Sequence, residues 1–269
     1  MLYNDIETMF MEIFDEHIYD EIIAKWNEEH RFYHNINHLK HMLFEIVDMF
    51  NKKEIDKSDR IVLVIIAFFH DAIYNPKSKT NEEDSVDYFI KCANKQNDGL
   101  LRSTEFIEQV KKSILATKEQ TMPVDRISKI IWTIDNSIFH SNMNKLIEYE
   151  HSIYKEYQFV DYNTYKIERV KFLKTRIGTF DSIFDSVLDN NLNQLISYVE
   201  NRQPNVAIFA GSFNPCHIGH YSILTAAEKL FDKVIIGFGV NPDKEAHDVI
   251  IPERISNREC ITYNGLITD

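Results

Sequence analysis

The sequence predicts an α + α/β protein, with an all-helical domain over residues 1–200 and a small parallel βαβ domain over residues 206–269. Three observations lead there. Apolar residues recur at helical spacing as far as about Glu200, and only Gly99, Gly178, Pro76 and Pro123 interrupt that stretch. The polar run Glu200-Asn201-Arg202-Gln203-Pro204-Asn205 then changes the grammar. Beyond it come a short apolar strand, a turn punctuated by Gly and Pro, a helix and a second apolar strand, the order expected of parallel strands joined by a crossover helix.

Ile6, Met9, Phe10, Ile13 and Phe14 make one face of a first helix, and His38, Met42, Phe44, Glu45 and Val47 lie in a second periodic stretch. Asp59 to Asp71 contains the longest apolar run, Ile61 to Phe69. Its β-branched residues also suit a strand, but its length and helical surroundings favour a buried central helix. Further helices are predicted over Glu82 to Asn94, Thr104 to Thr117, Val124 to Asp135, Asn144 to Tyr157 and Tyr162 to Phe180. Pro123 is placed in the first turn of its helix, where its missing N–H is no loss. In the second domain the elements are a strand Val206 to Phe209, a loop Gly211 to Gly219, a helix Ile218 to Leu230 and a strand Val234 to Phe238.

The composition is that of a globular chain: 44 % apolar and 27 % charged, with 18 Phe and 13 Tyr. The net charge of −12 disfavours an extended nucleic-acid surface, which needs concentrated Lys and Arg. From Val206 onward 8 acidic and 5 basic residues leave −3 there and −9 in the first 205 residues, so neither part attracts a polyanion at long range. Cys92, Cys216 and Cys260 are odd in number and far apart, which argues against a disulfide framework and for a reducing compartment. Met1 to Phe14 has no basic segment followed by an apolar one, and the run ending at Phe69 is too short to span a bilayer. A cytoplasmic protein without a membrane partner is the expectation.

Chemistry concentrates in two places. In the helical domain these are Tyr33-His34-Asn35 with His38, the pair His70-Asp71, Thr117 and Asp135. Imidazoles and carboxylates together hold a hard or borderline divalent ion while leaving positions for water. His34 and His38 are spaced i,i+4, so on a helix both rings point the same way. His70-Asp71 ends the most apolar helix, at the rim of the core, and Ala72-Ile73-Tyr74-Asn75-Pro76 favours termination there.

These segments resemble the HD superfamily of metal-dependent phosphohydrolases. The motifs read Tyr33-His34-Asn35-Ile36-Asn37-His38, Phe69-His70-Asp71-Ala72-Ile73-Tyr74, Asn81-Glu82-Glu83 and Ala116-Thr117, and the likeness covers roughly Met1 to Phe184. The resemblance implies that His38, His70, Asp71 and Asp135 are metal ligands, that Asp71 is catalytic, and that Thr117 meets substrate. Tyr33-His34-Asn35 also resembles a motif of cyclic-nucleotide phosphodiesterases, which implies that His34 is a proton donor, with an exchange of roles between His34 and His38 left open. Two departures stand out. Tyr74 occupies the place of a further His in the phosphodiesterases, and Gln120 replaces a His common in this branch. Lys40, Lys77, Lys79, Lys118 and Arg169 are available to meet substrate phosphate, though each is read first as an ordinary solvated side chain.

The second place is Ala210-Gly211-Ser212-Phe213-Asn214-Pro215-Cys216-His217-Ile218-Gly219-His220, between strand and helix. Ligands bind at such C-terminal strand ends. Gly211 lets the backbone approach a phosphate, Ser212 offers a hydroxyl, the helix start presents free N–H groups, His217 and His220 donate to phosphoryl charge, and Gly219 leaves room between them. This is neither a Walker loop nor a Rossmann fingerprint. It resembles the His-x-Gly-His nucleotidyltransferases, and the run from Val206 to Lys244 is similar to the start of phosphopantetheine adenylyltransferase. That resemblance implies that Ser212, His217, His220 and Lys244 meet ATP phosphates and that Asn214 lies in the acceptor loop. It extends to a third strand within Ile261 to Asp269, and the family's Arg-Gly-x-Arg segment has no counterpart in the sequence, which implies an incomplete Rossmann-like nucleotidyltransferase unit.

The expected function is therefore a metal-dependent phosphohydrolase acting on a nucleotide or related small phosphate ester, with a C-terminal nucleotide-binding unit. Its cofactor is a divalent ion drawn from Mn, Fe, Co, Ni, Zn or Mg. ATP is a candidate ligand of the C-terminal domain, and a second copy of the chain a candidate partner. Two alternatives are a bifunctional enzyme with adenylyltransferase activity in coenzyme A or NAD metabolism, and a non-catalytic nucleotide-sensing module.

Overall fold

The computed structural model describes residues 7–8, 10–11, 13–96, 99–180, 185–213, 215–240, 255 and 258–264. The helical region contains α1 (Glu16–Trp26), α2 (Ile36–Asn51), α3 (Lys57–Phe69), α4 (Asn81–Ala93), α5 (Thr104–Thr117), α6 (Arg126–Asp135), α7 (Met143–Glu156), α8 (Tyr162–Arg176) and α9 (Asp185–Asn201). Short polar side chains start most of them. Asp15, Asn35, Asp56, Ser103, Asp125, Asn142 and Asp161 each accept a backbone N–H from the first turn that follows.

Helix α3 is apolar around its whole circumference from Leu63 to Phe69, and all seven residues are buried, as such a helix must be. Helices α1, α2, α4, α5 and α6 contribute side chains to the core around it, with Phe10 and Phe14 added from the preceding segment. Ile6 and Met9 lie outside the described residues. A second apolar cluster joins Trp132 and Phe139 to α7, α8 and α9.

Several expected boundaries move, each for a local reason. Helix α3 stops at Phe69 with His70 as its C-cap, so the His70-Asp71 pair leaves the helix where the sequence required a break. Asp125 caps α6 through the Ser128 N–H, which places Pro123 ahead of the helix and not in its first turn. Helix α8 ends at Arg176, because Gly178 adopts φ +70° and turns the chain before Phe180. Phe44 points outward, 54 % exposed, while His38 and Met42 take the buried face of α2.

The α/β unit holds β1 (Val206–Gly211), α10 (Ile218–Leu230), β2 (Lys233–Val240) and β3 (Cys260–Asn264). The sheet order is β1-β2-β3, both pairs are parallel, and the register sets Val206 beside Lys233 and Ile236 beside Cys260. Its own core is small: Phe213, Leu224, Val234, Ile236 and Ile255. No described helix is long and apolar enough to cross a membrane.

The unit seats on the connection between α7 and α8. Gln158 Oε1 accepts the Val234 N–H at 3.1 Å, Lys233 Nζ donates to the Val160 carbonyl at 2.6 Å, and Lys155 Nζ donates to the Glu228 carbonyl at 2.7 Å. Arg202, in the segment leaving α9, pairs with Asp232. Arg258 and Glu228, 4 % and 5 % exposed, pair through Nε and Oε1 at 2.7 Å, and the guanidinium lies 5.6 Å from the Phe32 ring centre. Removing one partner of a buried ion pair leaves the other charge uncompensated. Glu228→Ala is therefore expected to lower stability by about 3–5 kcal/mol, read from the midpoint of urea unfolding; a change below about 0.5 kcal/mol would show that the pair does not stabilise the α/β unit.

Candidate metal centre and nucleotide loop

The first site is built from three helix ends. His38 sits in the first turn of α2, Asp135 is the last residue of α6, and His70 and Asp71 follow α3. His70 is fixed twice: its N–H donates to the Ile66 carbonyl at 2.8 Å, and its ring Nδ1 bonds the Ala67 carbonyl at 2.9 Å. A carbonyl only accepts, so Nδ1 carries a proton and Nε2 is the nitrogen left to face the carboxylates. Trp26 packs against the His70 ring at 5.5 Å between centres while its Nε1 donates to the Phe68 carbonyl at 2.9 Å, holding the end of α3.

The side chains converge. His38 Nε2 lies 3.0 Å from Asp135 Oδ1, and His70 Nε2 lies 3.2 Å from Asp71 Oδ2 and 3.8 Å from Asp135 Oδ1. One ligand atom each from His38, His70 and Asp71 falls within 4.8 Å of the others. Donors bonded to one ion at about 2.0–2.2 Å stand roughly 3–4.4 Å apart, so the set has the span of a single cation's ligands. Both Nε2 atoms are buried and neither has a hydrogen-bond partner aligned with it. Orphaned imidazole nitrogens facing two carboxylates fit a divalent ion better than they fit one another.

Electrostatics agree. Burial opposes a charge on His70, yet Asp71 and Asp135 push its pKa up to about 9. Burial likewise opposes ionised Asp71 and Asp135, and the neighbouring imidazoles nonetheless hold both carboxyls below their usual range, His70 chiefly for Asp71 and His38 chiefly for Asp135. A cation arriving here meets two carboxylates already ionised.

His34 is placed differently from the i,i+4 expectation. Asn35 caps α2, so His34 precedes the helix and its ring is oriented by a turn. The organising group is Glu156, the last residue of α7, which sequence reasoning missed. Its Oε1 accepts the N–H groups of Phe32, Tyr33 and His34 at 2.8, 2.6 and 2.9 Å. Its Oε2 accepts the Tyr74 hydroxyl and the His34 Nδ1–H, both at 2.7 Å. Burial opposes the His34 charge, but Glu156 raises its pKa above the ordinary value. Tyr74, in the position of the phosphodiesterases' further His, thus spends its hydroxyl on Glu156. Arg31, also unforeseen, donates to the carbonyls of His34, Asp71 and Ala72 at 3.2, 2.7 and 3.1 Å. Thr117 is buried at the end of α5 with its hydroxyl bonded to the Ile114 carbonyl at 2.7 Å. Arg169, expected in solvent, is 8 % exposed and paired with Glu150. The signal for these buried ions was present in α7, where Glu150 and Glu156 interrupt the apolar face formed by Leu146, Tyr149 and Ile153.

The second site lies where β1 runs into α10. Gly211 closes the strand, and a Cβ there would stand 3.2 Å from the Phe213 ring. Phe213 takes φ +46° and turns the chain toward the helix. Ser212 is exposed. His217 caps α10: its Nδ1 accepts the Gly219 N–H, and His220 Nδ1 accepts the His217 N–H, each at 3.2 Å. Both rings therefore carry their proton on Nε2, and they stack with centres 3.8 Å apart. A Cβ on Gly219 would come within 3.0 Å of the His217 ring, which explains the glycine between the histidines. Burial, then the adjacent His217, lowers the His220 pKa, so the ring is a neutral donor near pH 7. Asn214 and Lys244 lie outside the described residues.

Comparison with known proteins bears on this second site. Residues 208–258 match the family described as cytidylyltransferase-like. The last quarter of the chain is similar to phosphopantetheine adenylyltransferases: 41 % identical over 73 residues to that of Clostridium botulinum, covering 24 % of this chain and 46 % of the relative. The protein of Clostridium tetani is 36 % identical over 74 residues, with the same coverage, and that of Rhodopirellula baltica is 34 % identical over 73 residues, covering 24 % of this chain and 41 % of the relative. The chain thus spans less than half the length of the curated relatives it matches. No solved structure matches it. The molecule joins a helical region bearing a His/His/Asp cluster to an α/β unit resembling phosphopantetheine adenylyltransferase.

Glu156→Gln removes the charge that holds the His34 proton, so the His34 titration followed by NMR is expected to move to lower pH. Because the folded-state value is raised, the His34 contribution to stability is complete below the unfolded-state value and fades as pH rises through the folded one. The stability gap between the two proteins should narrow over that window, and an unmoved titration would remove Glu156 as the orienting group.

Proposed function

We propose that the chain is a bifunctional enzyme of small-phosphate metabolism, with a metal-dependent phosphohydrolase of the HD type in its helical region and adenylyltransferase machinery in its α/β unit. The observation that carries the hydrolytic side is the pair of buried imidazole nitrogens, His38 Nε2 and His70 Nε2, unpartnered beside Asp71 and Asp135. The four motif segments named above support the same assignment. His38, His70, Asp71 and Asp135 would hold the ion. When bound, that ion supplies Lewis acidity toward water and phosphoryl oxygens.

The chain's own residues do the rest. Glu156 keeps the His34 ring proton on Nδ1 and favours the charged ring, so that Nε2–H is available to a leaving oxygen. Arg31 fixes the two turns that carry His34 and Asp71 relative to each other. Thr117, whose hydroxyl donates to the Ile114 carbonyl, joins them by resemblance.

The transferase side has the stronger sequence support, since the relatives reported above align with the C-terminal quarter, whereas the hydrolytic side stands on geometry. In adenylyl transfer a phosphate oxygen of the acceptor forms a bond to the α-phosphorus of ATP, the bond to the bridging oxygen breaks, and pyrophosphate leaves. The Nε2–H groups of His217 and His220, with the Ser212 hydroxyl, would be the donors that meet those phosphates, while N–H groups at the start of α10 are spent on the histidine cap. Asn214 and Lys244 join them by resemblance.

The two sides separate by mutation of the full chain. Asp71→Asn is expected to reduce Mn-dependent phosphate release from a panel of nucleotides and phosphate esters by about 100-fold or more, with pyrophosphate release from ATP and phosphopantetheine unchanged. His220→Ala is expected to do the reverse. Phosphate release that survives Asp71→Asn rejects the hydrolytic site; absence of pyrophosphate release in the unsubstituted protein rejects the transferase.

A further inference from the structure

Phe32, in the turn that carries His34, is held at both ends of its backbone. Its N–H donates to Glu156 Oε1 at 2.8 Å, and its carbonyl accepts from Asn35 Nδ2 at 2.7 Å, the same side chain that caps α2. The residue is half-buried, and its ring takes no part in either bond. Two cations approach that ring from different units. Lys155 Nζ, on α7, lies 5.8 Å from the ring centre, and the Arg258 guanidinium, just ahead of β3, lies 5.6 Å from it. Both are within reach of a cation–π attraction, which strengthens as the cation loses water.

The two cations are tied to each other. Lys155 Nζ donates to the Glu228 carbonyl at 2.7 Å, and the Glu228 carboxylate accepts from Arg258 Nε, also at 2.7 Å. Glu228 thus spends its backbone oxygen on one cation and its side chain on the other. Arg258 and Glu228 are both buried, so neither leaves the pair without stranding the other's charge. Helix α10 fixes Glu228 in its last turn, while Lys155 is the chain neighbour of Glu156, whose Oε2 orients the His34 ring at 2.7 Å. A closed circuit of contacts therefore runs from α10 through Arg258 to the Phe32 ring and back through the end of α7, with the His34 turn as one of its links.

We propose that Arg258 is a positioning residue for the hydrolytic site: from the α/β unit it clamps the Phe32 ring and so fixes the turn that presents His34, and that site is complete only while the α/β unit is docked. This rests on the hydrolytic reading of the His/Asp cluster. A turn held by its backbone and released at its ring rocks about the Glu156 carboxylate, and a shift of about 1 Å at a proton donor costs on the order of 100-fold in rate.

Amide hydrogen exchange followed by NMR on the full chain, beside steady-state phosphate release with Mn, tests the clamp. Phe32→Leu leaves the Arg258–Glu228 pair intact. It and Arg258→Gln are each expected to speed exchange at the Phe32, Tyr33 and His34 amides about tenfold relative to the amides of α3. Each is also expected to lower kcat about tenfold while KM and Mn content change less than about twofold. Phe32→Tyr keeps the ring and restores both. The double substitution is no worse at these amides than either single one, because both remove one contact. Exchange that is unchanged in Phe32→Leu, that rises equally throughout α3, or that adds in the double variant overturns the clamp. If Arg258→Gln fails to fold with Glu228 left unpaired, Glu228→Gln combined with Arg258→Met removes both charges together, and unchanged exchange in that protein is equally fatal. The underlying reading fails separately. An unsubstituted chain that binds no Mn and releases no phosphate rejects the hydrolytic centre while the three amides still decide whether Arg258 holds the turn; full kcat in Arg258→Gln keeps the centre and removes the positioning role.

Discussion

A carboxylate taken out of water must have its lone pairs filled, and Glu156 fills them with the parts of the candidate site that need positioning. Three successive N–H groups, from Phe32 to His34, the His34 ring and the Tyr74 hydroxyl all donate to it. Arg31 is its complement. The guanidinium has only donors, and it gathers the carbonyls of His34, Asp71 and Ala72. One group orders the N–H side of the His34 turn and the other ties the C=O side of that turn to the one holding Asp71. Neither touches an imidazole or carboxylate of the His/Asp cluster, yet without them two turns far apart in sequence have no reason to keep a common geometry.

The cluster itself is a set of charges that the fold has placed where burial opposes them. Imidazole and carboxylate offset one another there, which is why Asp71 and Asp135 stay ionised and His70 is pushed up to about 9. The offset is incomplete in hydrogen-bond terms, because both Nε2 atoms remain without an aligned partner. A divalent ion held by His38, His70 and Asp71 would relieve this, and its binding free energy would add to folding of the helix ends that carry them.

Much of this was legible in the sequence because helix ends leave strong local marks. The polar pair His70-Asp71 after an apolar run, Asp135 closing a periodic stretch, and the turn before Ile218 were each readable from a few adjacent residues, and α10 follows its expected span of Ile218–Leu230. What failed was tertiary. Glu156 and His34 meet across 122 positions, and a lone Glu or Arg reads by default as solvated, which is also why Arg31 escaped and Arg169 was misplaced. His34 was drawn onto the helix of His38 because spacing says nothing of where a cap intervenes; Asn35, accepting the Asn37 N–H, is what separates them.

Helix α7 also explains why the α/β unit sits where it does. Among the described residues the three parallel strands and α10 share only five buried apolar side chains of their own, and small sheets with little burial are marginal in isolation. Polar contacts tie the unit to the α7–α8 connection, where Lys155 reaches the Glu228 carbonyl, Gln158 meets the start of β2 and Lys233 caps the Val160 carbonyl. Lys155 and Glu156 are neighbours: one holds the α/β unit and the other holds the His34 turn, while Phe32 in that turn lies under Arg258. Loss of the interface thus perturbs the first site through one helix end, and a sheet that relies on that helix end for its own stability cannot move independently of it.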